Sequence, residues 1–265
     1  MSTNEIKVTF LGVGGSYNAS GIHRIRYGTR TSCVSVRIGD LPPVIIDMGT
    51  GVLKNDGINE ADILLSHYHY DHIMGLPFFK PFYKDGSFSI YAHSYKGKSV
   101  YDIINDFMKA PFLPVTTGVF HAQVQYFDIS DCFTTRSGFD VETIPLYHPG
   151  GCTGYKLCHN GKSIVYLCDN ETVDDKIIDF CRDVDLIIFD AQFTEDEYLS
   201  NIYKGWGHSY HEAGIELALA SGASKIALTH HLPSRTDDDL ESIGHRLNEK
   251  FDGALIAPED MTVII

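Results

Sequence analysis

Four potential metal ligands lie within six residues of this chain, directly after a short apolar run. The run is Ile63-Leu64-Leu65, and the segment that follows reads Ser66-His67-Tyr68-His69-Tyr70-Asp71-His72. The apolar run predicts a buried strand, so the ligands are expected where that strand ends. His67 and His69 are two residues apart and project to the same side of an extended backbone, whereas Asp71 and His72 continue into the next element. One segment can therefore supply ligands to two neighbouring metal ions.

The ligand types in this segment favour a catalytic metal site. Imidazole and carboxylate suit zinc well and accept iron or manganese, and such a site is catalytic when one coordination position is left for water. The alternative is a solvated, histidine-rich loop that binds metal adventitiously. The buried strand before the cluster and the segment Ile73-Met74-Gly75-Leu76-Pro77 after it disfavour that alternative.

Length and composition indicate an ordinary globular enzyme. The 265 residues are 43% hydrophobic and include 15 Phe and 15 Tyr, which is enough for a large core. No Pro-, Gly- or Ser-rich linker divides the chain, so we predict a single domain over residues 1–265. Residues 78–127 are aromatic and are interrupted by Pro81, Pro111 and Pro114. We predict that they form an insert within the domain, as a lid or as the surface of a homodimer.

The N-terminus and the cysteines favour a cytoplasmic protein. Met1-Ser2-Thr3-Asn4-Glu5 has neither the basic start nor the apolar core of a signal peptide, and no apolar run approaches the roughly 20 residues of a membrane helix. Six cysteines are scattered without short paired spacings, which favours free thiols in a reducing compartment. We therefore predict a cytoplasmic location and no membrane partner.

The charge balance argues against long nucleic acid as a partner. The formal net charge is −14, from 21 basic and 35 acidic residues, whereas phosphate backbones are bound by clustered Lys and Arg. A small anionic substrate is compatible with this charge because a pair of metal ions is a local positive centre. One basic cluster, His23-Arg24-Ile25-Arg26 with Arg30, either faces a phosphate or forms a solvated loop.

Short β-branched runs and four helical patterns predict an α/β chain. The predicted strands are Ile6–Leu11, Ser32–Ile38, Val44–Asp47, Ile63–Ser66, Ser89–Ala92, Val141–Pro145, Thr153–Cys158, Ser163–Leu167, Leu186–Asp190, Lys225–Thr229 and Thr262–Ile265. The predicted helices are Lys98–Met108, Asp174–Asp183, His211–Ser221 and Asp237–Lys250. Strands come early and interleave with helices later, which indicates a mixed sheet or two stacked sheets.

Three further candidate ligands follow apolar strands or precede tight turns. His148 stands before Pro149-Gly150-Gly151, Asp169 ends one apolar strand, and His230 ends another. Each alone is compatible with a polar surface residue at a strand terminus. Ligands at the ends of several strands converge on one edge of a sheet, where binding sites usually form. Together with the first cluster, these residues predict one shared site.

These motifs resemble those of the metallo-β-lactamase superfamily, and within it the branch that includes RNase Z and related phosphodiesterases. The segment His67–His72 matches the HxHxDH motif, while Phe10–Gly15 and Ile45–Gly51 are similar to the opening glycine turn and the second signature of the branch. Gly207–Gly214 is similar to the HST-plus-helix element, and His230 follows Leu228-Thr229 where the last ligand is expected. The resemblance covers nearly the whole chain.

The resemblance implies a four-layer αβ/βα sandwich with a dinuclear metal site at the edge of the paired sheets. By motif position, one ion would be held by His67, His69 and His148, the other by Asp71, His72 and His230, and Asp169 would bridge them. His230 is preferred to the neighbouring His231 because it directly follows Leu228-Thr229. Two divalent ions are implied, with zinc as the first choice and manganese also compatible.

The chemistry implied is hydrolysis by a hydroxide that bridges the two ions, which also neutralise the charge that builds on a phosphoryl group. Asp71 would act as a ligand and orient that hydroxide. His208 is the candidate that protonates or stabilises the leaving alkoxide, and Asp190 would orient its imidazole. The alternative for His208 is a structural hydrogen-bonding role.

The branch resemblance and the acidic charge favour a small or cyclic nucleotide phosphodiester as substrate. The aromatic residues Phe78, Phe79, Phe82, Tyr83 and Phe112 could stack a base, or they belong to the core or a dimer interface. The other functions considered are an RNase Z-like RNA endonuclease, a lactonase or thioesterase of the same fold, a di-iron redox protein and a silent metal-binding module. The intact His69 disfavours the redox protein, and the complete ligand set disfavours the silent module.

Overall fold

Two stacked β-sheets form the centre of the molecule. The computed structural model describes residues 5–19 and 23–265, so residues 1–4 of the N-terminal segment considered above lie outside the described residues. Within the described ranges, each sheet contains seven strands.

The first sheet comes mainly from the N-terminal half of the chain. Its strands are β1 (Ile6–Gly12), β2 (Cys33–Ile38), β3 (Val44–Ile46), β4 (Glu60–Leu64), β5 (Ser87–Ala92), β6 (Gln123–Asp128) and β14 (Thr262–Ile264). They lie in the order β14-β1-β2-β3-β4-β5-β6. Strands β3 to β6 are parallel. β3, β4 and β5 are almost entirely buried, because helices or loops cover one face of the sheet and the second sheet covers the other.

The second sheet comes from the C-terminal half. Its strands are β7 (Cys132–Thr134), β8 (Asp140–Leu146), β9 (Cys152–His159), β10 (Lys162–Leu167), β11 (Leu186–Asp190), β12 (Ile226–Thr229) and β13 (Ala254–Ile256). They lie in the order β13-β12-β11-β10-β9-β8-β7. β7 to β10 are antiparallel, and β10 to β13 are parallel.

Helices cover the outer faces of both sheets. The helices are α1 (Tyr70–Ile73), α2 (Val100–Met108), α3 (Asp175–Phe180), α4 (Glu195–Leu199), α5 (His211–Ser221) and α6 (Asp237–Asn248). Of these, α2 packs against the first sheet, and α3, α5 and α6 pack against the second. The longest, α6, begins at a capping box in which Thr236 and Asp239 satisfy each other's backbone N–H groups. Within the described ranges, no helix has the length and apolar character needed to cross a bilayer.

Three apolar clusters fill the spaces between these layers. The central cluster joins the two sheets and includes Phe10 and Tyr155. A second lies between the first sheet and α2 and includes Phe79 and Ile104, and a third lies between the second sheet and its helices and includes Phe189. The order of layers is therefore helix, sheet, sheet, helix, which is the four-layer arrangement that was predicted.

The segment 78–127 has to be reinterpreted. It carries β5, α2 and β6, and β5 pairs with β4 inside the first sheet, so this segment is part of the sandwich rather than an insert into it. Phe79 and Phe82 are fully buried in the core and cannot stack a base, whereas Phe78 and Phe112 are exposed. The proposed lid or dimer surface therefore stays a prediction for the exposed residues alone.

Candidate metal centre

The predicted ligands follow strands of both sheets. Those of the HxHxDH segment follow β4 of the first sheet, and Asp71 and His72 lie in α1. The remaining three, His148, Asp169 and His230, follow β8, β10 and β12 of the second sheet. Asp169 and His230 have φ angles of +62° and +59°, a conformation that few residues other than glycine adopt. The structure brings all of the predicted ligands together at one edge of the two sheets.

One cluster consists of His67, His69, His148 and Asp169, whose ligand atoms all lie within 4.8 Å of one another. His148 Nε2 lies 2.8 Å from His69 Nδ1. Asp169 Oδ2 lies 3.6 Å from His67 Nε2 and 3.5 Å from His148 Nε2. This is the set predicted for the first ion.

The second cluster consists of Asp71, His72, Asp169 and His230, again within 4.8 Å. Asp169 Oδ1 lies 3.1 Å from His72 Nε2 and 3.2 Å from His230 Nε2. Asp71 Oδ2 lies 3.2 Å from His230 Nε2. Asp169 thus belongs to both clusters and directs one carboxylate oxygen to each.

The chemistry of the donor set fits divalent metal ions. Within the described part of the chain, His67 Nε2, His72 Nε2 and Asp169 Oδ1 are buried without a hydrogen-bond partner, although His72 Nε2 faces Asp169 Oδ1 and His67 Nε2 faces Asp169 Oδ2. A buried polar group left unpaired costs about 1–3 kcal/mol. Cations coordinated by these atoms would satisfy all three.

Four of the histidines are held by their other ring nitrogen. His67 Nδ1 lies 3.0 Å from Ser66 Oγ, His72 Nδ1 2.7 Å from Asp47 Oδ2, His148 Nδ1 2.8 Å from the Gly207 carbonyl oxygen and His230 Nδ1 2.9 Å from Gln192 Oε1. Such contacts fix the tautomer and the ring orientation of a metal ligand. They leave Nε2 of each ring for the centre.

Asp47 contacts the candidate centre and is missing from the set of residues predicted from the sequence. It is fully buried directly after β3 and has a φ angle of +61°. Its carboxylate accepts hydrogen bonds from the Ser66 N–H at 2.8 Å and the Tyr166 hydroxyl at 2.7 Å, in addition to its contact with His72. Its place after an apolar strand is the same signal that singled out Asp169, so applying that signal throughout would have found it.

Replacement of Asp47 by asparagine is expected to weaken zinc binding by about 10–100-fold, because the acceptor that orients His72 loses its charge. The dissociation constant is measured by competition with a chelator. Asp40→Asn, on an exposed turn after β2, is the matched control and is expected to bind zinc like the native chain. Equal affinities for Asp47→Asn and the native protein would show that Asp47 does not support the centre.

The loop before His208 is tied to the same centre. Glu171 Oε1 accepts a hydrogen bond from the Gly205 N–H at 2.7 Å, and Oε2 accepts one from the Gly207 N–H at 2.9 Å. Gly207 has a φ angle of +86°, and a Cβ at this position would lie 2.2 Å from His148 Nδ1. Glycine is therefore required for the loop to pass so close to the ligand.

His208 and Asp190 form a buried pair beside the two clusters. His208 Nδ1 lies 2.8 Å from Asp190 Oδ2, and the His208 ring stacks on His230 with centroids 4.7 Å apart. Burial lowers the pKa of His208, but the charge and the hydrogen bond of Asp190, together with the charges of Asp169 and Asp71, outweigh it and raise this pKa to about 9. His208 thus holds a proton at neutral pH next to the candidate metal centre.

The glycine turn after β1 also contacts the centre. The Ser16 N–H donates a hydrogen bond to Asp71 Oδ2 at 2.9 Å. A Cβ on Gly15 would lie 2.5 Å from His230 Nδ1, so only glycine allows this approach. The turn therefore positions Asp71 and packs against His230.

The neighbouring histidine, His231, points away from the candidate metal centre. His231 Nε2 donates to the Ala257 carbonyl oxygen at 2.9 Å, whereas His230 Nε2 faces Asp71 and Asp169.

In the basic cluster, Arg24 donates to the Leu232 carbonyl oxygen, and the other two arginines pair with carboxylates: Arg26 with Glu241 and Arg30 with Glu259. These pairings favour a structural role for that cluster over phosphate binding.

A family model described as "Beta-lactamase superfamily domain" matches residues 50–231, which contain all the predicted metal ligands. The chain belongs to the metallo-β-lactamase superfamily. The predicted family and the predicted αβ/βα sandwich are thereby confirmed. Membership of this superfamily implies divalent metal ions, in agreement with the donor set.

Similar proteins match over most of their length. A probable metallo-hydrolase from Bacillus subtilis, YhfI, is 26% identical over 85% of this chain and 86% of its own. A ribonuclease Z from Haloarcula marismortui is 21% identical over 96% of this chain and 95% of its own. These relatives support a metallo-β-lactamase-fold hydrolase.

Solved structures show the same fold. The crystal structure of YhfI gives a TM-score of 0.75 at 23% identity and covers 99% of this chain and 100% of YhfI. A diphosphatase of the PhnP family gives a TM-score of 0.73 at 19% identity, covering 98% of this chain and 97% of that protein.

Proposed function

We propose that the protein is a metal-dependent phosphodiesterase that hydrolyses a small or cyclic nucleotide phosphodiester. The observation that carries this proposal is the Asp169 carboxylate, whose two oxygens face separate ligand clusters. Two divalent ions, with zinc as the first choice, would occupy these clusters. The names of the ribonuclease Z and diphosphatase relatives also support chemistry at phosphate groups.

Each side chain has a distinct task in this mechanism. Bound divalent ions would supply an activated water and neutralise charge on the phosphoryl group. Asp71, held by the Ser16 N–H, directs one carboxylate oxygen toward the second cluster and orients the attacking group. His208 donates its proton to the departing alkoxide, and Asp190 holds the imidazole in the required orientation.

The substrate is proposed to be compact. The net charge of −14 disfavours a long polyanion, and the arginines of the one basic cluster are bound by carbonyl or carboxylate groups of the protein. A ribonuclease Z-like endonuclease is therefore a weaker proposal than a phosphodiesterase for mononucleotides.

Zinc content and hydrolysis of bis-p-nitrophenyl phosphate, measured on the same preparation, test the proposal. We expect the native protein to hold two metal ions per chain and to hydrolyse the substrate. In His67→Ala we expect the full metal content and the turnover to be lost. His245→Ala, on the exposed face of α6, is the matched control and is expected to behave like the native chain.

The hydrolysis assay is then extended to further substrates: cyclic mononucleotides, cyclic dinucleotides, a tRNA precursor, a lactone and a thioester. Absence of phosphodiester hydrolysis by a chain with two ions bound would overturn the proposal. Cleavage of the tRNA precursor alone would identify an endonuclease, and bound iron with a visible charge-transfer band would identify a redox protein.

A further inference from the structure

A cavity of about 520 Å³ opens beside the first ligand cluster. His67 and His69 form part of its wall, so a group in the cavity lies next to the ion that they would hold. A volume of this size is within the range that encloses a small organic molecule. The cavity is therefore placed to receive the part of a substrate that is attached to the reacting phosphate.

The walls of the cavity are mainly apolar and come from several strands. Leu65 follows β4, Ala92 ends β5, and Pro145 lies in β8. The turn Gly150-Gly151 after His148 closes one side. Strand backbones hold these positions, so the cavity belongs to the sandwich itself.

The polar groups of the cavity are suited to an uncharged guest. Among the described residues that line it there is no lysine or arginine, and Asp131 provides a carboxylate. A second phosphate group would meet this carboxylate, and the lining itself offers no lysine or arginine to balance it. The Lys96 ammonium group lies over the Tyr95 ring, 5.0 Å from its centroid. The hydroxyl-bearing residues Ser94, Tyr95 and Thr143 add neutral hydrogen-bonding groups, and the Tyr95 ring is 39% exposed.

We propose that this cavity is the subsite for an uncharged ring system of the substrate, a nucleobase with its sugar, and that Asp131 accepts a hydrogen bond from it. The inference rests on the proposed function, because it assumes that the ring system is attached to the phosphate at the metal centre. It assigns base binding to Tyr95 and the apolar walls, in place of the buried Phe79 and Phe82.

The binding of unphosphorylated nucleosides tests this inference separately from catalysis. Adenosine, guanosine, cytidine and uridine are titrated into the zinc-loaded full chain and followed by calorimetry. At least one is expected to bind, since nucleosides lack the phosphate but retain the group that the cavity would hold. Ribose alone is expected to bind at least tenfold more weakly.

Two variants and one control locate the binding site of the nucleoside. Thr143→Trp places a large ring in the cavity and is expected to weaken nucleoside binding and raise the KM for a cyclic mononucleotide, each by at least tenfold. Glu142→Trp is the matched control, because neighbouring strand residues point to opposite faces and Glu142 is exposed outside the cavity. Asp131→Asn keeps the shape of the side chain. It is expected to weaken the binding of the preferred nucleoside more than the binding of the other nucleosides.

Circular dichroism and zinc content establish that the variants are folded. Failure of all four nucleosides to bind the native protein, or native affinity in Thr143→Trp, would overturn the inference. If nucleosides bind and Thr143→Trp abolishes binding while no phosphodiester is hydrolysed, the subsite stands and the proposed reaction fails.

Discussion

Exchange of Asp169 for asparagine is expected to lower phosphodiester hydrolysis by at least about a thousandfold, because charge stabilisation by bound ions contributes several kcal/mol. Asparagine preserves the volume of the side chain and tolerates the φ angle of +62° that alanine would not favour. It cannot provide a negative oxygen to both clusters. Zinc measured on the purified variant is therefore expected to fall below two ions per chain.

Asp183 offers a matched control for this exchange. It also has a positive φ angle, +51°, but it is exposed and belongs to neither ligand cluster. Asp183→Asn is expected to keep native zinc content and turnover. Two tightly bound ions and a native rate in Asp169→Asn would show that the shared carboxylate is not the basis of the centre.

Replacement of His208 by alanine is expected to reduce kcat by about 10²–10⁴-fold, which is the usual contribution of a positioned general acid. The loss should be smaller for a substrate whose leaving group needs no proton, such as p-nitrophenolate, than for a cyclic nucleotide with an alkoxide leaving group. Measuring both substrates separates proton donation from a structural role. Equal losses on the two substrates, with lowered zinc content, would indicate that His208 only supports the metal centre.

The pH profile should report the Asp190–His208 pair. Because Asp190 helps to raise the pKa of His208 to about 9, the imidazole stays protonated at neutral pH and loses its proton as the pH rises through about 9. Hydrolysis of the cyclic nucleotide is therefore expected to decline on the alkaline side. In Asp190→Asn this decline is expected at lower pH, and kcat/KM measured between about pH 6 and pH 10 shows the shift. An identical alkaline limb in both proteins would exclude His208 as the proton donor.

The site residues could be predicted because each follows a recognisable local pattern. Most ligands lie in the HxHxDH segment or directly after β10 and β12, which are largely buried apolar runs that the sequence shows directly, and His148 stands before the turn Pro149-Gly150-Gly151. β6, β7 and β13 were missed for the opposite reason. β6 has mostly exposed or half-buried side chains, and β7 and β13 have only three residues each, so none of them has an extended apolar pattern.

Which supporting residue contacts which ligand could not be deduced from local sequence. Asp47 lies 25 residues from His72, Gln192 lies 38 residues from His230, and Gly207 lies 59 residues from His148. Each pair is created by the stacking of strands and loops, which no local pattern specifies. The cavity beside His67 likewise depends on walls from both sheets, and the burial of Phe79 and Phe82 depends on how β5 enters the first sheet.

Each ligand cluster draws side chains from both sheets. His67 and His69 come from the first sheet and His148 and Asp169 from the second, and the other cluster is divided in the same way. A bound ion is thus a reversible crosslink between the two halves of the chain. At a free metal concentration about a thousand times the dissociation constant, such binding adds about 4 kcal/mol to the stability of the fold. We expect proteases to remove the metal-depleted form faster, so that the cellular abundance of this protein follows the supply of its metal.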